Sequence, residues 1–425
     1  MHDSTLSRAA TEALEAYFGL PHEVKFCKRC VFSNQRPLST NEFAHTTASH
    51  KETLSFDEEG VCLACRQMDK VFDDIDWKSR EEELLRLLDR HRSQDGSYDV
   101  LVPGSGGKDS AMAAHLLKHK YGMHPLTVTW APHLYTDIGW HNFQSWIHKG
   151  GFDNYLFTPN GHVHRLLTRL AVLNLLHPFQ PFIVGQKTFA PKMALKFGIK
   201  LVFYGEMPGQ YGEKASVEES RRFGQDKTSP GFQLSYDHLQ ELCLGGLPLG
   251  QLVKEHGLTR TDLLPYIPAP AAELARASIE FHYLGYYLKW VPQEAYYYAV
   301  ENTAFQANPE RTEGTYSKYN SLDDKIDGFH YWTTFVKFGI GRATYDASQE
   351  IRNRHLTREE GVALVRRFDG EFPKKYFPEI LEYLSMTVEE FFILADRFRS
   401  PHLWKKEGSE WKLRHAVWSE LESKG

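Results

Sequence analysis

Three features of the sequence predict an α/β protein, a doubly wound parallel sheet carrying an N-terminal four-cysteine module and a helical C-terminal region. An apolar segment at 98–102 runs through a glycine-rich loop into apolar residues at helical spacing. Strand-like and helix-like segments then alternate, the pattern of parallel strands joined by helical crossovers. Four of the five cysteines stand in two Cys-x-x-Cys pairs near the N-terminus.

In chain order the cysteines come first. Cys27 and Cys30 form one pair, Cys62 and Cys65 the other, with 31 residues between the pairs. Each pair aims two thiolates at one centre, and two pairs complete the tetrahedral shell that Zn2+ prefers. An iron–sulfur cluster is the chemical rival, because four thiolates hold either. Cys243 stands alone in an apolar stretch and is expected to be a buried small residue at a helix end.

The phosphate-binding signal follows. Tyr98 to Val102 reads as a buried strand, and Met112, Ala113, Leu116 and Leu117 recur on a helix beginning at Lys108. Between them lie Ser105, Gly106, Gly107, Lys108, Asp109 and Ser110. The glycines let backbone N–H groups close on an anion, and the helix start adds a positive dipole. Ser105 and Ser110 offer hydroxyls, Lys108 neutralises phosphate charge, and Asp109 can hold Mg2+ or cap the helix. The spacing is not that of a Walker A loop.

Further strands are predicted at 125–131, 155–158, 200–204 and 281–288. Helices are predicted at 138–149, 162–176, 187–197 and 292–305. Thr129 and Trp130 end the second strand and are candidates for base or ribose contact, since nucleotides bind at such strand ends. Gly205 and Glu206 end the fourth on the same side, and Glu206 is the candidate carboxylate for Mg2+ or an incoming amine. The predicted organisation is 1–92 for the N-terminal region with the cysteine module and 93–305 for the nucleotide-binding core. A mainly helical insertion is expected at about 207–278, and a mainly helical C-terminal region at 306–425. There Thr357 to Glu360 has the form of a capping box.

A net charge of −5 and a pI near 6.5, with no long basic stripe, favour a small anionic substrate over nucleic acid. No apolar run reaches membrane-spanning length and the N-terminus lacks a signal-peptide core, so a cytoplasmic protein is expected, away from membranes.

The Ser105–Ser110 segment resembles the SGGxDS loop of the PP-loop ATP pyrophosphatases (adenine nucleotide alpha hydrolase-like), which cut ATP to AMP and pyrophosphate. Additional segments narrow the resemblance: Gln186 to Lys192, Leu201 to Glu206, Thr315 to Tyr319, Ser321 to Gly328 and Lys337 to Ala343. Together with the cysteine pairs they resemble the N-acetyl sugar amidotransferases of surface-polysaccharide (lipopolysaccharide, O-antigen) and nonulosonic-acid biosynthesis. The segment between the cysteine pairs is longer than is usual there. The resemblance implies ATP, Mg2+ and Zn2+, and conversion of an acetamido to an acetamidino group on a nucleotide-linked diacetamido sugar. It also implies separate glutaminase and cyclase-like subunits supplying ammonia, similar to those of histidine biosynthesis. No glutaminase signature is present in this chain, which agrees. Lys318, Lys325 and Arg342, in the loop-rich stretch after the core, are candidates for pyrophosphate or sugar binding. The alternative is a PP-loop tRNA-thiolating enzyme, which would want basic surface and a catalytic cysteine inside the core.

Overall fold

The computed structural model describes residues 14–39, 41–207 and 242–419. After the first cysteine pair come α1 (Leu63–Asp73) and α2 (Trp77–His91). The alternating segment then runs β1 (Val100–Pro103), α3 (Lys108–His115), β2 (Pro125–Trp130), α4 (Asp137–Gly150), β3 (Asp153–Phe157), α5 (Gly161–Leu175), α6 (Gln180–Phe197) and β4 (Leu201–Tyr204). A small hairpin, β5 (Cys243–Leu244) and β6 (Leu247–Pro248), leads to α7 (Leu249–His256), α8 (Arg260–Leu263) and α9 (Ala271–Arg276). The sheet is completed by β7 (Glu280–Tyr283), followed by α10 (Leu284–Tyr287) and α11 (Pro292–Thr303). The C-terminal region holds α12 (Asp327–Phe338), α13 (Arg342–Arg352), α14 (Arg358–Phe368), α15 (Phe377–Leu384) and α16 (Val388–Arg397). It ends in a hairpin of β8 (Trp404–Glu407) and β9 (Glu410–Leu413).

The central sheet is parallel throughout, in the order β3-β2-β1-β4-β7. The chain winds outward from β1 through β2 to β3, then returns to lay β4 on the other side of β1. At that reversal the flanking connections leave in opposite directions, opening a crevice at the carboxyl ends of β1 and β4. Central strands covered on both faces need unbroken apolar runs, and Val100, Leu101, Val102, Leu201, Val202 and Phe203 are all fully buried. One face packs Val100 and Val102 with α2, α3 and α4. The other packs Leu101, Leu126, Val128 and Trp130 with α5 and α6.

Several expectations are adjusted by packing. The last strand stops at Tyr283, and 284–287 turn into α10, where Gly285 donates its N–H to the Glu206 carbonyl at 3.0 Å. The helix expected from Lys187 begins at Gln180, with proline at the next position, where a missing N–H costs nothing. Cys243 lies in a strand rather than at a helix end, buried as expected. Of the insertion, the described part is a hairpin, three short α-helices and a 3-10 turn at Leu264–Tyr266, and 208–241 lie outside the described residues. α2 lies on the sheet, through Leu84, Leu87 and Leu88, rather than with the cysteine module.

The C-terminal helices share a core with α5, where Val172 and Leu176 meet Phe329, Trp332, Phe377 and Phe391. Thr357 accepts from the Glu360 N–H and Glu360 returns the bond, the reciprocal cap read from sequence. Among the described residues no helix is long and apolar enough to cross a membrane.

Candidate active site

The glycine-rich loop lies at the carboxyl end of β1, at the sheet's reversal point. Gly106 takes a φ of +84°, and a Cβ there would stand 2.7 Å from Phe143 Cα. Only glycine supplies that backbone and lets α4 approach so closely. Gly107 precedes the first turn of α3, where the free N–H groups of a helix start point outward at an anion. The Ser110 hydroxyl donates to the Gly107 carbonyl at 3.1 Å, tying the loop to the helix.

Lys108 and Asp109 form an ion pair at 2.7 Å, and the Asp109 carboxylate also accepts from the indole N–H of Trp290 at 3.1 Å. Lys108 Nζ lies 5.9 Å from the centre of the Tyr319 ring. Gly205, at the end of β4, sits over the start of α3, and a Cβ there would stand 2.4 Å from the Asp109 carbonyl oxygen. The strand end therefore presses directly on the helix start. Next to it, Glu206 opens to solvent at the rim yet is crowded by protein at longer range. Desolvation and then the Asp109 charge push its carboxyl up to about 7, against the pull of Lys187 and Lys108. The exposed rim tempers that desolvation.

A third carboxylate arrives from the C-terminal side. The Ser105 hydroxyl donates to Asp323 Oδ2. Burial, with Asp324 and Asp109 nearby, pushes the Asp323 carboxyl up, while the Ser105 bond and Lys108 oppose the shift. Its backbone is seated on α4: the Thr136 N–H donates to the Asp323 carbonyl at 3.1 Å, and a Cβ on Gly139 would stand 2.6 Å from Asp323 Cα. Three carboxylates thus crowd one lysine beside a phosphate-shaped loop. That excess of anions beside the loop suits a cation, and Asp109, in the first turn of α3, is the carboxylate a Mg2+ there would use.

Other candidates are committed elsewhere. The Trp130 ring packs in the core against Phe157, Phe189 and Tyr266, and would collide with any side chain at Gly185. Thr129 is buried and accepts from the Asn154 amide at 3.0 Å. Strand alternation places the ring: Leu126, Val128 and Trp130 share the face under α5 and α6, and Thr129 faces the other way. Lys318 donates to the Pro309 carbonyl at 2.9 Å. Lys325 pairs with Glu379 at 2.6 Å, and Arg342 with Asp346 at 3.0 Å and the Tyr331 hydroxyl. Lys325 also lines a polar cavity of about 560 Å³ with Asp324, Asp327, Arg311 and Lys375. Asp324 is held in the fold, accepting from His133 Nδ1 at 2.8 Å and from three backbone N–H groups, those of His133, Leu134 and Ile326.

The cysteine pairs converge. Cys30 and Cys62 sulfurs lie 3.6 Å apart, those of Cys27 and Cys65 4.0 Å, and all four within 4.8 Å. A tetrahedral ion with metal–sulfur bonds of about 2.3 Å needs separations of about 3.8 Å. The four thiols are buried, and N–H groups of Arg29, Cys30 and Cys62 point at the Cys27 sulfur. The module docks on the C-terminal helices: Phe32 packs edge-on to Tyr345, and Arg358 donates to the carbonyls of Cys27 and Cys30.

Trp290 had no role in the motif reading, Lys187 entered only as part of the Gln186–Lys192 segment, and Asp323 only as a neighbour of Lys318, Lys325 and Arg342 in a candidate binding stretch. Asp323 stood inside a charged segment where any acid could be solvated, and only its fold-dependent bond to Ser105 sets it apart.

Comparisons with known proteins bear on the C-terminal region most directly. Residues 313–417 match the family of the LPS biosynthesis protein WbpG-like, C-terminal domain. An uncharacterized protein of Methanocaldococcus jannaschii, MJ1599, is 32% identical over 83 residues, 19% of this chain. The alignment spans only 29% of that relative's length. Solved structures with some likeness include a predicted tRNA methyltransferase subunit from the same organism, at 16% identity and a TM-score of 0.25, covering 48% of this chain and 75% of that one. NMN synthetase from Francisella tularensis has the same identity, TM-score and coverage of this chain, with 92% of its own chain covered. The U34-tRNA thiolase NcsA from Methanococcus maripaludis, with its 4Fe-4S cluster, is 11% identical with a TM-score of 0.29, covering 84% and 88%. The loop segment Ser105–Ser110 stands on a five-stranded parallel sheet, and the match to the WbpG-like C-terminal domain lies beyond that sheet, at residues 313–417.

Proposed function

We propose that the chain is an ATP-dependent amidotransferase that turns an acetamido group of a nucleotide-linked diacetamido sugar into an acetamidino group. The observation that carries this reading is Asp323 of the WbpG-like domain reaching across to Ser105 of the phosphate loop. That contact unites the ATP-binding core with the region whose family relatives are lipopolysaccharide biosynthesis proteins.

The chemistry follows from the poverty of an amide as an electrophile. Loop N–H groups, the α3 dipole and Lys108 would hold the ATP phosphates, and Mg2+ held through Asp109 would offset their charge. The amide oxygen attacks the α-phosphorus, the bond to the β-phosphate breaks, and pyrophosphate leaves. Ammonia then adds to the imidate carbon, the carbon–oxygen bond breaks, and AMP departs carrying the former amide oxygen. The proton lost by the incoming nitrogen needs an acceptor. Glu206, whose proton affinity lies near neutrality, suits that role. Ammonia would come from separate glutaminase and cyclase-like subunits.

At the four cysteines the reading is Zn2+. Sulfur separations of 3.6 and 4.0 Å close round one ion, whereas a polynuclear cluster inserts its own iron and sulfide atoms between the thiolates.

Incubating the chain with ATP, Mg2+, ammonium and a panel of diacetamido sugars, with unmodified tRNA as a parallel arm, tests the reading. AMP and pyrophosphate formed with one sugar, with an amidine product, support it. AMP formed only with tRNA, or ADP and phosphate, would replace it.

A further inference from the structure

We infer a second metal site, separate from the cysteine quartet, in which Glu42, His45 and His177 bind one divalent transition-metal ion. The three side chains are buried, and their ligand atoms all lie within 4.8 Å of one another.

The local backbone builds the first two ligands. Residues Glu42–Ala44 form one turn of 3-10 helix, capped by the Asn41 side chain. In that helix, positions i and i+3 lie on one side, which stacks Glu42 with His45. The same Glu-x-x-His spacing supplies metal ligands in carboxylate-bridged helical proteins. The third ligand comes from the short link between α5 and α6. Glu42 reaches both imidazoles at once, Oε2 at 2.8 Å from His45 Nδ1 and Oε1 at 3.4 Å from His177 Nε2. Two imidazoles and a carboxylate are the donor set of borderline ions such as Zn2+ and Fe2+.

The surroundings hold the ligands in position, as a metal site requires. The Gln180 amide donates to the Glu42 carbonyl at 2.8 Å, and its oxygen accepts from the Gly245 N–H at 2.9 Å. His330 of α12 stacks on His177 with ring centres 5.2 Å apart, and its buried Nδ1 has no hydrogen-bond partner. Lys51 and Lys337 are close enough to oppose a cation. Burial disfavours the charged form of both, and Lys337 is engaged by the Leu175 carbonyl at 2.8 Å.

The ion would staple the N-terminal segment to the α5–α6 link beneath α12, three parts of the chain distant in sequence. Its role is structural, because the ligands are enclosed.

The test is the metal content of the full chain expressed in minimal medium with Co2+ as the supplied ion. The proposal expects two cobalt ions per chain, one with sulfur-to-cobalt charge-transfer absorption and one with nitrogen and oxygen ligation only. The His45→Ala/His177→Ala variant should keep the first and lose the second, and the milder Glu42→Gln should weaken the second at least tenfold. A wild-type chain that takes up only the sulfur-bound ion overturns the proposal. The three residues are then a carboxylate bridging two imidazoles by hydrogen bonds. Two ions retained in the histidine variant would equally refute it.

Discussion

Gly106, Gly107 and Gly205 meet around the phosphate loop, and the structure gives them different reasons for being glycine. In Gly106→Ala the new methyl stands 2.7 Å from Phe143 Cα and 3.0 Å from the Asn142 carbonyl, both backbone atoms, at a φ of +84°. A left-handed alanine costs about 1–2 kcal/mol, and overpacking against rigid neighbours about 1–3 kcal/mol. The variant should therefore lose about 2–5 kcal/mol of stability. Gly205→Ala meets the Asp109 carbonyl at 2.4 Å without the left-handed term, so about 1–3 kcal/mol is expected. Gly107 differs: its φ of −64° and ψ of 158° are open to any residue, and the nearest atom to an added Cβ is Ser105 Oγ at 3.6 Å. Nothing in the protein requires glycine there, and alanine should leave stability within about 1 kcal/mol of the parent. If the loop holds phosphate as proposed, a methyl there would meet it. Gly107→Ala should thus unfold at the parent's urea midpoint while binding ATP at least about tenfold more weakly, some 1.4 kcal/mol. Urea unfolding and ATP titration of the three variants decide the matter. A normally folded Gly107→Ala that binds ATP as tightly as the parent would refute the assignment of this loop to phosphate.

Other consequences can be measured on the same protein. The folded chain holds the Glu206 proton up to about 7, above the ordinary 4.5, so the ligand-free protein should lose stability as pH rises through that interval. Glu206→Gln should flatten this slope in melts across the pH range, and an unchanged slope would assign it to other groups. Asp323→Asn keeps an acceptor for Ser105 and removes a charge disfavoured by burial. Stability should hold or rise while Mg2+-dependent turnover falls roughly 10–100-fold; unchanged turnover would make Asp323 purely structural. Cys62→Ser should abolish binding of the thiolate-held ion and open the segment around Cys27 and Cys30 to protease, since structural metal sites supply much of their own folding free energy. Full metal content in that variant would contradict the four-thiolate site.

Legibility in the sequence tracked how local each feature is. The loop from Ser105 to Ser110 could be read because strand, turn and helix are consecutive and each constrains the next. Glu206 was proposed from its position at a strand end, and the cysteine pairs from their spacing. Trp130 and Thr129 lie at a strand end too, but the strand is buried on both faces, so position alone could not separate lining from core. Lys318, Lys325 and Arg342 carry charge in a loop-rich stretch, and their partners Pro309, Glu379 and Asp346 are set by tertiary packing. The bond from Ser105 to Asp323 spans 218 residues, and no local pattern announces it. Glu42 and His45 carry a visible spacing, but their third partner, His177, is joined to them only by the fold.

The most direct test of amide activation follows the oxygen atom. With ATP, Mg2+, ammonium and a diacetamido sugar labelled with 18O at the acetamido carbonyl, the account predicts one labelled oxygen in the AMP formed for each amidine made. AMP free of label, with the heavy oxygen in water or retained in the sugar, would contradict it.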